Sequence, residues 1–271
     1  MAATTGQLTG SAPVQGKFWG AKAQDWAELQ EQTELPLHGA VLDAAHVIRG
    51  TRLLDAGCGA GTAALLASLR GATVSAIDAS EALLAIASER LPDADIKQAD
   101  LESLPYPDAT FDAVTAVNSV FYAANPASAV RELARVARPG GRVVVTTWGP
   151  AARCDYASVI QRLGPLMPPP PPNSKPGGGP FAYSEPGALE SLFEEAGLHP
   201  VDRGEASCPF VYPNSETSRR GQLAAGVTQR AIEHSGLDPV LAAIDEADAS
   251  ATQPDGSIRY DNAFVWVAAV R

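Results

Sequence analysis

Between Leu53 and Thr62 the chain reads Leu-Leu-Asp-Ala-Gly-Cys-Gly-Ala-Gly-Thr, an apolar strand running into three glycines at alternate positions and then an Ala/Leu-rich helix. Gly57 and Gly59 carry no Cβ, so the backbone can turn sharply there and come close to a ligand. N–H groups at the start of the following helix would then face whatever sits in front of it. Spacing separates this turn from the dinucleotide fingerprint G-x-G-x-x-G. Gly61 arrives one residue early, and Thr62 stands where that pattern needs glycine. The turn therefore points away from NAD and FAD.

Strand and helix patterns alternate four times between Leu53 and Val145, which predicts an open α/β sheet. Val130, Leu133, Ala134, Val136 and Ala137 recur at helical spacing, and Pro139-Gly140-Gly141 is expected to stop that helix. Val143-Val144-Val145 is a continuous β-branched run, expected in a strand covered on both faces. Ligands of such sheets bind outside the carboxyl ends of the strands, where Gly57, Asp78, Asp100 and Asn118 fall.

Asp55, two residues before the first glycine, completes D-x-G-x-G-x-G, which resembles the first motif of the class I S-adenosylmethionine (SAM)-dependent methyltransferases. The resemblance continues in order. Ile96–Glu102 is similar to the family's third-strand segment, and Leu104–Val114 resembles the "LPFPDxSFDxV" segment of the ubiquinone/menaquinone-type (type 11) branch. Arg131–Val145 is similar to its helix, "RPGG" turn and fifth strand, and Ala188–Leu198 to the helix and "EAGF"-type turn before the sixth. This implies a Rossmann-like, mostly parallel seven-stranded sheet with the last strand antiparallel, helices on both faces and a helical cap. It also implies SAM as cofactor, with S-adenosylhomocysteine as product. The cofactor would meet Asp55, Gly57, Cys58 and Gly59, with Cys58 packed beneath it. Asp78 and Ala79, at the tip of the second strand, would meet the ribose; the alternative for Asp78 is a cap on the next helix, for which Ser80 is better placed. Asp100 and Leu101 would meet adenine, and Glu102, Asn118 and Ser119 complete the site.

Composition narrows the partners. A chain of 271 residues that is 45% hydrophobic can bury one core plus a cap, and no apolar run approaches the ~20 residues of a membrane span. Net charge −11, with no basic cluster beyond Arg219-Arg220, disfavours nucleic acid. The cysteines Cys58, Cys154 and Cys208 lack metal-type spacing, so no metal site and a reducing, cytoplasmic setting are expected. No secretory leader is evident in the small, polar first residues.

The expected organisation is a flexible tail at 1–16, a helical lid at 17–48, the SAM-binding core at 49–150 and a Pro/Gly-rich loop at 151–185. Residues 186–271 would complete the sheet, with a helical cap inserted near 215–253. Trp19 and Trp26, seven apart and so on one helical face, are candidate lid residues over the cofactor, or else anchor their helix to the core. An oxygen acceptor would profit from a base, and His38, in the loop entering the second helix, is the best-placed histidine. Tyr122 and Tyr183 are candidates to orient a hydroxyl, the alternative being tyrosines packed in the pocket wall. The preferred reading is methyl transfer to a small molecule, such as a secondary metabolite or quinone-like ring, by a monomer or homodimer. Alternatives are action on a protein or nucleic acid, and a SAM-binding regulator without transfer.

Overall fold

The structure is a computed structural model that describes residues 8–169 and 179–271. Residues 1–7 of the expected tail and 170–178 of the proline-glycine loop lie outside it. Its main sheet has seven strands: β1 (Arg52–Ala56), β2 (Thr73–Asp78), β3 (Asp95–Gln98), β4 (Phe111–Ala116), β5 (Ala137–Trp148), β6 (His199–Ser207) and β9 (Ala263–Val270). They lie in the order β3-β2-β1-β4-β5-β9-β6. β9 is antiparallel to both neighbours, and the pairings from β3 through β5 are all parallel. The strand order reverses beside β1, so the ends of β1 and β4 diverge and leave a crevice.

Helices cover both faces of the sheet. α3 (Leu35–Ala44) and α4 (Thr62–Leu69) pack on the face that carries Leu53, Val74 and Val144. On the other face, α6 (Pro126–Val136) packs on β4 and β5 and α8 (Ala188–Glu195) on β6 and β9, over a core that includes Leu54, Ile77, Val143 and Val145. Val143, Val144 and Val145 are all buried, as their unbroken apolar run requires. α6 ends at Val136, three residues before Pro139, because Ala137 already takes extended angles and enters β5. α5 (Glu81–Arg90) follows β2, and its first turn is capped by Ser80, whose Oγ accepts from Leu83 N at 3.3 Å.

Two segments close over the carboxyl edge of the sheet. α1 (Ala12–Gly20) and the short α2 (Ala23–Asp25) continue through a π-turn at Trp26–Gln30 and a tight turn at Glu31–Glu34 into α3. The expected tail at 1–16 is corrected here. Residues 12–16 are helical, begun by a proline in the first turn and held by Gly16, where a Cβ would lie 2.4 Å from the Ala79 carbonyl oxygen. The single face expected to carry Trp19 and Trp26 is broken at Lys22, and the two rings meet edge to face at 4.7 Å. His38 lies within α3, not in a loop before it.

From the other side, α7 (Ala157–Leu163) joins α9 (Ser215–Leu223), α10 (Gly226–Ser235) and α11 (Leu237–Ala251) to form the cap. A two-stranded ribbon of β7 (Phe210–Tyr212) and β8 (Ile258–Tyr260), unforeseen in the sequence, ties this cap to β6 and β9. Beneath it, the Asp248 carboxylate accepts from Ser218 Oγ, Gln222 Nε2 and Tyr260 Oη at 3.0, 2.8 and 2.6 Å, fastening α9 and α11 to the ribbon.

Candidate functional site

At the carboxyl edge, between the N-terminal segment and the cap, a cavity encloses about 1270 Å³ of empty space, its mouth included. Its floor begins with the turn after β1. Gly57, Gly59 and Gly61 have φ of 78°, 58° and 88°, angles that side-chain-bearing residues rarely adopt. At Gly57 a Cβ would also sit 2.4 Å from Ser119 Cβ. The β1 and β4 ends approach this closely only because Gly57 has no side chain.

Every backbone N–H from Gly57 to Gly61 is already bonded. Gly57 and Cys58 donate to the Ile77 carbonyl at 2.8 and 2.9 Å, and Gly61 to the Cys58 carbonyl at 2.9 Å. Gly59 donates to Asp78 Oδ2 at 2.9 Å, and Ala60 to Glu31 Oε1 at 2.9 Å. The expectation that helix-start N–H groups face a ligand is therefore corrected for these five residues. Glu31, from the N-terminal segment, takes the place an anion would occupy, and also accepts from Thr62 Oγ1 at 2.5 Å and Arg90 Nη1 at 2.8 Å. Burial pushes the Glu31 carboxyl above its ordinary range against these partners.

The lining carries five carboxylates, Glu31, Glu34, Asp55, Asp78 and Asp100, and among the described residues no lysine or arginine. Asp55 is buried at the floor. Its Oδ1 accepts from Thr115 Oγ1 at 3.0 Å, its Oδ2 has no partner, and burial pushes its carboxyl up to about 7. Asp78 also accepts from Ser80 N at 2.8 Å, and burial raises it too. Asp100 accepts from Glu102 N at 2.9 Å and from Thr9 Oγ1 at 2.7 Å, so the N-terminal segment reaches across to the third strand's end. The Trp26 indole N–H is buried without a partner at the same cavity.

Most of the residues expected at the cofactor converge here: Trp19, Trp26, Asp55, Gly57, Cys58, Gly59, Asp78, Ala79, Asp100, Leu101, Asn118 and Ser119 all line the cavity. Glu102 does not. Its carboxylate turns away to accept from Asn125 N at 3.0 Å. Cys58 is a buried thiol whose ionisation is pushed well up by burial and by the carboxylates around it, which suits packing and not nucleophilic attack.

Beyond β4 the lining changes character. Phe121, Tyr122, Trp148, Tyr156 and Ile160 form an aromatic-apolar wall under the cap, with Trp148 and Tyr156 stacked at 5.7 Å. His38 and Tyr122 line this half, whereas Tyr183 packs against the core outside the lining. His38 is buried with Nδ1 unpartnered, and burial holds it down to about 4, so its imidazole is neutral. The sequence reading missed Glu34. It lies one turn before His38, its Oε2 accepts from Asn118 Nδ2 at 3.0 Å, and burial pushes it up to about 7. Its signal was the spacing of Glu31, Glu34 and His38 on a segment whose other face carries Leu37 and Val41.

Residues 54–145, from β1 to β5, match the family model described as "Methyltransferase domain". This part of the chain is a methyltransferase domain. Two curated relatives are a demethylmenaquinone methyltransferase of Renibacterium salmoninarum and a 27-O-demethylrifamycin SV methyltransferase of Amycolatopsis mediterranei. The first is 35% identical over 132 residues, covering 47% of this chain and 55% of the relative. The second is 30% identical over 192 residues, covering 68% of this chain and 66% of the relative. The chain spans about half the length of the first curated relatives it matches. Among solved structures, that of the cyclase SpnF superposes with a TM-score of 0.60 at 21% identity, covering 99% of both chains. That likeness concerns the fold, including the cap that the methyltransferase domain itself does not contain.

Within the methyltransferase domain lie the glycine turn, Asp55, Asp78, Asp100 and Asn118; outside it lie Glu31, Glu34, His38, Trp148 and Tyr156. The carboxylate-lined half of the cavity is thus built mainly from the domain. Its aromatic half is shared between Phe121 and Tyr122 of the domain and Trp148, Tyr156 and Ile160 beyond it.

Proposed function

We propose that the protein transfers the methyl group of SAM to a small-molecule acceptor held in the aromatic half of the cavity. The observation that carries this reading is a glycine turn whose amide donors are internally bonded, facing carboxylates and, among the described residues, no cation in the lining. Such a site rejects a pyrophosphate and suits a ligand that brings hydroxyl, amino and cationic groups. The unpartnered Asp55 Oδ2 fits an ammonium, and Asp78, with one carboxylate oxygen toward Gly59 and the other toward Ser80, retains lone pairs for two ribose hydroxyls. Asp100 and the Leu101 backbone at the end of β3 suit the adenine edge.

SAM supplies an electrophilic methyl on a sulfonium, and the chain's residues supply position. Trp19, Trp26 and Tyr122 close over that position and exclude water, and the β4 end aims the acceptor half at it. Similarity to relatives named for demethylmenaquinone and demethylrifamycin supports a small-molecule acceptor. Net charge −11 supports one that is not a nucleic acid. No helix among the described residues is long and apolar enough to cross a membrane, and the three cysteines are unpaired and buried, which fits a cytoplasmic setting.

Isothermal titration with SAM, S-adenosylhomocysteine and NADH tests this reading. Micromolar affinity for both adenosyl ligands and none for NADH is the expected result. A preference for NADH, or no binding of the adenosyl ligands, removes it.

A further inference from the structure

Glu34 and His38 both line the cavity, and they stand four residues apart, on one side of the segment entering α3. Glu34 is fixed by Asn118, which is fixed in turn. Thr146 Oγ1 donates to Asn118 Oδ1 at 2.9 Å and accepts from Asn118 N at 2.9 Å. That network uses one Glu34 oxygen and leaves Oε1 without a protein hydrogen bond among the described residues. A carboxylate held this way, beside Tyr122 of the aromatic wall, is placed to receive a proton from a ligand lying against that wall.

The charge pattern adds a second constraint. With five carboxylates in the lining, only Glu31 of them paired with an arginine (Arg90, outside the lining), and no cation in the lining among the described residues, an acceptor carrying its own carboxylate or phosphate would be buried without a counter-charge, at high cost. Flat aromatic walls favour a planar ring.

Resting on the methyl-transfer reading, we propose that the acceptor is an uncharged planar aromatic hydroxyl compound and that Glu34 is the catalytic base that takes its proton. The acceptor O–H bond breaks as its proton passes to Glu34 Oε1. The oxygen lone pair forms the new bond to the methyl carbon, and the methyl–sulfur bond breaks with its electron pair going to sulfur, giving the neutral thioether. Glu34 returns the proton to solvent when the lid opens. His38, neutral in its apolar setting, lends a hydrogen bond to the same ring and not the charge change. The groups facing Glu34 are Glu31, His38, Asn118, Tyr122 and, from beyond β6, Cys208. None is cationic at neutral pH, so burial among them suits a base that titrates near that pH.

Equilibrium titration of the whole protein, with and without S-adenosylhomocysteine, against 2-naphthol and 6-hydroxy-2-naphthoate provides the test. The wild type is expected to bind the neutral naphthol at least about tenfold more tightly than its carboxylated analogue. Glu34→Gln should keep S-adenosylhomocysteine affinity, which also reports that it folds, and should narrow that discrimination by removing one negative charge. Transfer from SAM to 2-naphthol should fall roughly 100-fold in Glu34→Gln and recover in part in Glu34→Asp. Equal binding of the two probes, binding of neither, or a Glu34→Gln variant with wild-type transfer overturns the proposal. A wild type that binds the naphthol but not S-adenosylhomocysteine instead overturns the methyl-transfer reading beneath it.

Discussion

Asp78 has two loads that substitution can separate. It accepts from Gly59 and Ser80 N–H groups within the protein, and in the proposed complex it also accepts from the ribose. Asp78→Ala should weaken SAM by ~1–3 kcal/mol, read by calorimetry; unchanged affinity would leave Asp78 only as a fastener of the turn. Glu31 is the stronger structural residue. It holds Ala60, Thr62 and Arg90 together from a position only 5% exposed. Its loss takes the carboxylate partner from a partly buried guanidinium and leaves the Ala60 amide unpaired, so Glu31→Ala should lower unfolding free energy by about 1.5–3 kcal/mol in urea titrations. Residues of the glycine motif were legible because a strand, three glycines and an aspartate leave few alternatives. Glu31 and Glu34 were not, because Glu-Gln-Thr-Glu reads as solvated until the fold carries it over the sheet.

Among elements, α1 is the one whose placement depends most on a single missing side chain. A Cβ at Gly16 would meet the Ala79 carbonyl carbon at 2.8 Å as well as its oxygen, so Gly16→Val should lift α1 from the β2–α5 loop and loosen the Thr9–Asp100 contact. SAM affinity should fall several-fold, and the fluorescence of Trp19, packed on Trp26 and 5.4 Å from Tyr122, should shift to the red. An unaltered spectrum together with unaltered affinity would show that α1 is not part of the closure. β1, β2 and β5 followed from their apolar runs, and the cap helices from their periodicity. β7 and β8 are three residues each, too short for alternation to register, and exist because Phe210, Tyr212, Ile258 and Tyr260 are buried together. α1 was hidden by the small, polar residues before it and by a binding surface that only tertiary structure supplies.

For the molecule as a whole, the buried carboxylates couple folding to pH. Asp55 and Glu34 titrate at about 7 when folded against about 4 when unfolded. The folded state therefore holds more protons across that window. Their contribution to stability is fully present below about 4 and lost as pH rises through about 7. His38, held down to about 4, works the other way, but only below about 6.5. Above about pH 6.5 the opposing contribution of His38 is gone, so the melting temperature of the ligand-free protein should fall between pH 6.5 and 8 and fall less in Glu34→Gln. A cationic ligand favours the ionised forms, so SAM affinity should rise over the same interval; opposite trends would show that these carboxylates are not what titrates. The glycine turn adds a different consequence. Because its amides are satisfied by Ile77, Asp78, Glu31 and Cys58 and not by a guest, the turn has nothing to rebuild when a guest departs. The floor of the site then keeps its shape through each exchange while Glu31 stays seated on Ala60, and only the part of the roof ahead of Glu31 has to move.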